Sequence, residues 1–421
     1  MANDGEPSST HGILLGIVEG HRARLIGALA RWCGDVQLAE DGFSEAVEAA
    51  LTAWPSNPPT KPEAWLATVA RNRIRDTLRS AAHRRSTTLP DHMGAALEAD
   101  LTPSRDDTLA LLFACAHPAL DRSVHAPLIL QVALGVGTAD VATAFALPVA
   151  TLSKRLVRAK QKLRVNRASF EIPEQIEGDR IGAVLDAIYA AYSVDWLRIA
   201  PADATELVIE EAIHASQLLL RECPENHEVR GLASLLLFLH SRSSARVANE
   251  ILIPLDEQER TEWDHHLIRR ANRILRDGLH YPRSGNPGPY ELQAAIQSAH
   301  ATSTSSETPW PIIAQLYDAL IAETPSMGAQ VARAVAIARS TNSAAGLAIL
   351  DALPQRYPAV DAFQAFHAAR GALLHDAGEI GAAAVALRRA HDLSTDLPSR
   401  NYLSAMLSTL RRTSTEGDPP P

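Results

Sequence analysis

The sequence is poor in cysteine and in aromatic residues, and both shortages limit what the chain can be. Its 421 residues include three cysteines, Cys33, Cys115 and Cys223, whose wide spacing fits neither a disulfide framework nor a zinc site. This pattern predicts a protein of the reducing cytoplasm. Aromatic residues make up 5% of the chain, whereas alanine and leucine are abundant, which favours helices packed on helices over β-sandwiches.

Long apolar runs are missing too. No stretch approaches the roughly 18 apolar residues that a membrane-spanning helix requires, so we expect no membrane association. The polar N-terminal segment MANDGEPSSTHG has no basic stretch leading into an apolar one, and it therefore predicts no signal peptide.

The signatures of common enzymes are also missing. The sequence contains no HExxH, no paired CxxC, no phosphate-binding P-loop and no GxSxG motif. The glycines of the GVGTAD segment do not match GxGxxG, and the 16 histidines show no metal-ligand spacing. We therefore expect a protein that is not an enzyme and that needs no metal ion and no cofactor.

Charge is divided unevenly along the chain, whose formal net charge is −9. Residues 1–170 hold 19 Lys and Arg against 17 Asp and Glu, whereas residues 171–421 hold 21 against 32. This asymmetry predicts different tasks for the two parts. Concentrated basic stripes occur in the first part, which makes it the candidate for contact with nucleic acid.

One basic stripe belongs to a predicted helix-turn-helix. The first helix spans 138–146 with Thr138 as N-cap, Leu147-Pro148-Val149 breaks the pattern, and the second helix spans 150–163. Four apolar residues share one face of the second helix: Leu152, Leu156, Ala159 and Leu163. Seven basic residues and no acidic one lie between positions 154 and 167. Such a helix fits a DNA major groove, the alternative being a solvated helix of an ordinary helical protein.

The other basic stripe lies on a predicted helix that begins near Pro62, PEAWLATVARNRIRDTLRSAAHRR. Three arginines, Arg71, Arg75 and Arg79, recur every four residues beside an apolar stripe. Trp65, near the start of this helix, is either a core residue or a platform on which single-stranded bases stack.

The order of these segments resembles the bacterial RNA polymerase sigma factors of the extracytoplasmic-function group, within the sigma-70 family. AEDGFSEAVEAAL and AWLATVARNRIRD resemble region 2, and the helix-turn-helix ending RLVRAKQKLR resembles region 4. FACAHPAL, PGPYELQAAIQSAH and the long helical extension narrow the likeness to the subgroup with a tetratricopeptide-like C-terminal domain. The resemblance implies region 2 at 12–85, a linker at 86–104, region 4 at 105–167 and the C-terminal domain at 178–412.

The resemblance also implies which residues bind which partner. Core polymerase would contact Asp41, Glu45 and Glu48. The −10 promoter element would contact Trp65, Arg71, Asn72, Arg73 and Arg75. The −35 element would contact Thr151, Ser153, Lys154, Arg155 and Arg158. The polymerase-binding segment of this group usually has the pattern DxxQEAF. In this chain Ser44 and Val47 replace its Gln and Phe, and Gly42 is a further departure because it puts a glycine inside the helix.

The C-terminal part shows a weak repeat. AAGLAILDAL and GAAAVALRRAHDL begin 37 residues apart, at Ala344 and Gly381, and both are rich in small residues. The fold class predicted for the whole chain is therefore all-α, with two small helical domains followed by a tetratricopeptide-like solenoid. Upstream of the repeat, a long helix is predicted over 257–279.

Together with the resemblance, these patterns predict a sigma factor that directs core RNA polymerase to promoter DNA. Its C-terminal domain is expected to be regulatory, either by docking on the first two domains or on polymerase, or by binding a protein partner. The alternative is a helix-turn-helix regulator with a solenoid sensor domain that acts without polymerase, and a pure scaffold is a third possibility. The region 2 segment distinguishes the first reading from the second, because a simple regulator has no use for it.

Overall fold

The computed structural model describes residues 7–85, 103–104, 106–173, 176, 178–197, 203–302 and 308–416. Within them the chain forms 18 α-helices and one two-stranded hairpin, so the all-α prediction is confirmed. Most of the predicted linker, residues 86–102, lies outside the described residues. The chain divides into two compact units, Met1–Glu222 and Cys223–Pro421.

The first unit contains nine of the described helices. They are α1 (Pro7–Cys33), α2 (Val36–Ala53), α3 (Pro62–Arg85), α4 (Asp106–Cys115), α5 (Arg122–Val132), α6 (Thr138–Ala144), α7 (Val149–Val165), α8 (Gly178–Leu197) and α9 (Asp203–Glu222). Helix α2 begins where Asp35 caps it, since the Asp35 carboxylate accepts hydrogen bonds from the backbone N–H groups of Gln37 and Leu38. Helix α3 begins at Pro62, as the sequence predicts.

Helices α1 and α4 approach each other very closely. Gly27 of α1 lies against the backbone of Asp107, and a Cβ atom at Gly27 would overlap the carbonyl oxygen of Asp107 and lie 2.8 Å from its carbonyl carbon. One turn further along α1, Arg31 donates hydrogen bonds to both carboxylate oxygens of the buried Asp107, at 2.7 and 3.2 Å. The sequence therefore allows α4 to pack directly on α1 because the contact position carries no side chain.

The helix-turn-helix is present, with shifted boundaries. Helix α6 ends at Ala144, and Ala146 has a positive φ of 50° in the turn. Helix α7 begins at Val149 because Pro148, with its fixed φ, occupies the N-cap. The prediction that Thr138 is the N-cap of α6 is wrong. The N-cap is Gly137, which has no side chain to accept a hydrogen bond, and Thr138 already belongs to the first turn of the helix.

Helices α8 and α9 belong to the first unit. Helix α8 packs on α5, and α9 packs on α8 and α1. Their buried faces include Val184, Ile188 and Tyr192 of α8 and Leu219 of α9. The predicted C-terminal domain began at residue 178, whereas the contacts of these helices place the division between the two units after Glu222.

The second unit stacks helices in chain order. It consists of α10 (His227–His240), a hairpin of β1 (Val247–Ala248) and β2 (Ile251–Leu252), α11 (His265–Gly278), α12 (Pro289–Thr302), α13 (Trp310–Glu323), α14 (Met327–Ser340), α15 (Ser343–Arg356), α16 (Gln364–Asp376), α17 (Ile380–Leu393) and α18 (Leu397–Glu416). From α12 to α18, each helix packs on the next one in the chain. Three successive apolar clusters form the core of this stack.

Candidate polymerase and nucleic-acid interface

The acidic residues predicted to bind polymerase share the exposed side of α2. Asp41, Glu45 and Glu48 are all exposed, whereas Phe43, Ala46 and Ala50 face the core. The amide of Gln37, one turn earlier, donates a hydrogen bond of 2.8 Å to the Asp41 carboxylate. The helix period thus separates a solvated acidic face from an apolar one.

Gly42 faces α3 rather than the acidic face. A Cβ atom at this position would lie 2.5 Å from Cγ1 of Ile74 and 3.1 Å from the backbone oxygen of Ala70. The sequence marks Gly42 as a departure from the group's pattern that costs about 1 kcal/mol of helix stability. The structure supplies the reason for it, since α2 and α3 could not approach this closely with a larger residue. Of the other two departures, Ser44 is exposed and Val47 is half-buried.

The residues predicted to bind the −10 element differ in exposure. Asn72 and Arg73 are exposed on α3, whereas Arg71 and Arg75 are half-buried. Trp65 is also half-buried, and its ring packs edge-to-face on the buried Trp54, with 5.6 Å between the ring centroids. Trp65 therefore combines a core contact with a part that solvent reaches.

The two predicted sites on region 2 meet at an ion pair. Oε2 of Glu45 on α2 lies 3.6 Å from Nε of Arg73 on α3, and about half of each side chain is accessible to solvent. Such a pair contributes about 0–1 kcal/mol, because solvent screens it. The pair shows that Glu45 on the acidic face of α2 and Arg73 on α3 are neighbours.

The residues predicted to bind the −35 element lie along the first turns of α7. Thr151, Lys154, Arg155 and Arg158 are exposed, and Ser153 is half-buried. The Ser153 hydroxyl donates a hydrogen bond of 2.9 Å to the carbonyl of Val149, so its proton is used within the helix. The apolar face of α7 is buried as predicted, at Leu152, Leu156, Ala159 and Leu163.

Two of the seven basic residues around α7 pair with carboxylates of the first unit: Lys160, which is buried, and Arg164, which remains exposed. Nζ of the buried Lys160 lies 2.6 Å from Oε2 of the buried Glu40 on α2. Nε of Arg164 lies 3.3 Å from the Asp35 carboxylate. Glu40 also accepts a hydrogen bond of 3.1 Å from the Gln131 amide. The ion pairs thus hold α7 directly against α2.

Arg22 completes this buried cluster. Its guanidinium lies 3.6 Å from Glu40, and burial lowers the pKa of Arg22 while the Glu40 carboxylate opposes that shift. The sequence carried a signal for Lys160, since it follows Leu156 by four residues and precedes Leu163 by three, which puts it on the apolar stripe. A prediction based on charge alone places Lys160 on the side of α7 that faces DNA.

In the part of the chain that the structure describes, no group of three His, Cys, Asp or Glu side chains could hold a metal ion. None of the helices described is both long and apolar enough to cross a membrane.

Residues 17–84, which cover most of α1 to α3, match the family model for sigma-70 region 2. The chain therefore contains a sigma-70 region 2. The acidic face of α2 and the arginine face of α3 are parts of this region. The sigma-70 family consists of transcription initiation factors rather than enzymes.

Two further comparisons extend beyond region 2. Residues 180–279 match a family of unknown function, DUF6596, which covers α8 to α11 and so includes helices of both units. The chain is also 34% identical over 404 residues to an uncharacterized protein of Rhizobium meliloti (strain 1021). That match covers 92% of this chain and 94% of the relative. No solved structure matches the chain.

Proposed function

We propose that this protein directs core RNA polymerase to specific promoters and initiates transcription there, as a sigma-70 family member of the extracytoplasmic-function group. The match of α1–α3 to region 2, together with the solvated acidic face of α2, carries this proposal. The protein would contribute binding energy and strand separation in the cytoplasm, where core polymerase works, and the polymerase would perform the covalent chemistry.

The polymerase contact is assigned to the exposed acidic face of α2. Asp41, Glu45 and Glu48 would face the coiled coil of the large clamp subunit, the element that the resemblance implies. The burial of Phe43 and Ala46 against the core of region 2 supports this assignment, because it fixes the orientation of the acidic face.

The promoter contacts are assigned to α3 and α7. Asn72 and Arg73 would contact the −10 strand from an exposed position, with Trp65 beside them where the strands separate. Arg155 and Arg158 would contact base edges and phosphates of the −35 major groove. Thr151 and Ser153 would lie nearest to the groove floor, at the start of α7.

We assign the second unit a regulatory role. It would bind a protein partner, as a tetratricopeptide-like solenoid does. The sequential stacking of α12 to α18 supports this proposal. Because α8 and α9 pack into the first unit, a truncation that tests the role of the second unit must keep residues through Glu222.

The deciding experiment is co-purification with bacterial core RNA polymerase. The wild-type chain should bind core polymerase stoichiometrically, and Asp41→Lys/Glu45→Lys should abolish binding, because two charge reversals place like charges against a complementary surface. The matched control is Asp351→Lys/Asp361→Lys, which reverses two exposed acids of the second unit and should leave binding unchanged.

If the wild-type chain fails to bind core polymerase but binds duplex DNA alone, the sigma-factor proposal is wrong and the helix-turn-helix regulator takes its place. If the two charge-reversed variants bind equally well, the polymerase contact lies elsewhere than on α2.

The −35 contact makes a second, separate prediction. Arg155→Ala/Arg158→Ala should weaken binding to duplex promoter DNA and lower the slope of log Kobs against log salt by about 0.9 for each lost phosphate contact. Fluorescence anisotropy over a series of KCl concentrations measures this slope. Arg122→Ala, an exposed arginine of α5 paired with Asp179, serves as the control and should keep the wild-type slope.

A further inference from the structure

Helix α11 carries an arginine face on the second unit. Arg269, Arg270, Arg273 and Arg276 are all exposed along 14 residues of helix, and His265 and His266 are exposed in its first turn. We call the three residues Arg269, Arg273 and Arg276 the α11 arginine stripe. They are four and three residues apart, so they lie on one side of the helix.

The unit that carries this stripe is not strongly acidic. Residues 223–421 hold 18 Arg and no Lys against 21 Asp and Glu, whereas residues 171–222 hold 3 basic and 11 acidic residues. The negative charge of the C-terminal half is therefore concentrated ahead of the second unit. An anionic partner meets little net repulsion from residues 223–421.

The stripe is held rigidly by the opposite side of α11. Asp264 caps the helix, and Ile268 and Ala271 are buried. From α10, the Ser234 hydroxyl donates to the carbonyl of Ala271 at 3.2 Å, and the Arg230 guanidinium donates to the carbonyl of Ile274 at 2.8 Å. The arginines are thus displayed on a fixed support, which reduces the entropy lost on binding.

Several other arginines of this unit have acidic partners, whereas within the described part of the chain the three of the stripe do not. Ion pairs join Arg283 to Glu291, Arg333 to Asp318, Arg339 to Asp256 and Asp376, and Arg370 to Asp351. Among the residues that the structure describes, no carboxylate lies within ion-pair distance of Arg269, Arg273 or Arg276. The three guanidinium groups of the stripe are therefore available to bind another molecule.

We propose that the α11 arginine stripe binds the phosphate backbone of duplex DNA, as a contact separate from those of α3 and α7. From Arg269 to Arg276 the helix rises by about 10 Å, at about 1.5 Å per residue. One DNA strand presents a phosphate about every 3.4 Å along the helix axis, so four successive phosphates span about 10 Å and the three arginines fall within a run of that length. Guanidinium groups bind phosphate oxygens through paired hydrogen bonds.

The composition of the face favours DNA over an acidic protein. Protein interfaces have an apolar centre, whereas DNA-binding surfaces are polar and strongly basic. From His265 to Asp277 the exposed side chains of α11 are arginine, histidine and aspartate, with no large apolar residue among them. The exposed Leu279 follows the end of the helix.

The test uses the full-length chain and a fluorescein-labelled duplex of unrelated sequence, titrated at several KCl concentrations. Arg269→Gln/Arg273→Gln/Arg276→Gln should bind at least tenfold more weakly at low salt, with a slope of log Kobs against log salt lowered by about 0.9 for each lost contact. The same three changes are also measured in the Arg155→Ala/Arg158→Ala background. The effect of the stripe on DNA affinity can then be measured even if the −35 assignment is wrong.

The matched control is Arg356→Gln/Arg388→Gln/Arg389→Gln, which removes three exposed arginines from two other helices of the same unit. An equal loss in this control would mean a general charge effect and would overturn the proposal. A wild-type slope in the stripe variant would overturn it as well. If that variant keeps DNA binding but no longer binds a labelled poly-glutamate peptide that the wild-type chain binds, the partner is an acidic protein segment instead.

Discussion

Lys160→Ala should lower the free energy of unfolding of the first unit by about 3–5 kcal/mol, the usual effect of removing one partner of a buried ion pair. The carboxylate of Glu40 would then remain buried with only the Gln131 amide and the more distant Arg22 guanidinium near it. The loss reflects an uncompensated charge rather than the strength of the original attraction. Urea denaturation, followed by hydrogen exchange at α2 and α7, measures it.

A control exists on the same two helices. Arg164→Ala removes the exposed member of the neighbouring pair with Asp35 and should cost at most about 1 kcal/mol. Replacing both buried partners, with Lys160→Met and Glu40→Leu, should recover much of the stability that Lys160→Ala loses. Equal losses for Lys160→Ala and Arg164→Ala would contradict the assignment of Lys160 to a buried pair.

Gly27→Ala should destabilise the first unit by about 1–3 kcal/mol, because the new methyl group would overlap the carbonyl of Asp107. That carbonyl belongs to the backbone of α4 and cannot rotate away like a side chain, so the two helices would have to separate. The hydrogen bonds from Arg31 to Asp107 would weaken with them. The thermal unfolding midpoint measures the loss.

Gly20→Ala tests the same chemical change on the same helix. Nothing lies within 4 Å of a Cβ atom at Gly20, so alanine should stabilise the protein by about 0.5–1 kcal/mol through its better helix propensity. Opposite signs for Gly27→Ala and Gly20→Ala are expected. The same sign for both would show that the α1–α4 contact is looser than the geometry indicates.

Periodicity predicted the buried side of α7, because it depends only on the helical repeat and on apolar burial. It also placed Trp65 beside an arginine face. It did not reveal the partners of Lys160 and Arg164, since those partners lie on a helix more than 100 residues earlier in the chain. Long-range pairing of this kind has no local signal.

Gly42 is a second position at which the local sequence was not sufficient to predict the structure. Gly42 is unfavourable for an isolated helix, and the sequence therefore indicated a weakness in region 2. The structure shows a contact between α2 and α3 that requires the missing side chain. Helix propensity describes a segment alone, whereas the position of a neighbouring backbone decides whether a glycine is tolerated or needed.

Helix boundaries in the second unit were wrong where side-chain caps decided them. The long helix predicted over 257–279 begins instead at His265, because the Asp264 carboxylate accepts hydrogen bonds from the N–H groups of His266 and Leu267. The preceding residues contain a short 3₁₀ turn that ends at Glu262. An apolar pattern continues through such a cap, so periodicity alone extends the helix too far.

The docking of α7 on α2 has a consequence for promoter geometry. The −10 and −35 elements are about 25 base pairs apart, or about 85 Å at about 3.4 Å per pair. In the arrangement described, α7 touches region 2 through a contact of 2.6 Å between Lys160 and Glu40. A factor that recognises both elements at once has to release this contact first. Under the proposed function, the free protein is therefore a closed form. The contact between α7 and α2 must break before the protein binds both promoter elements.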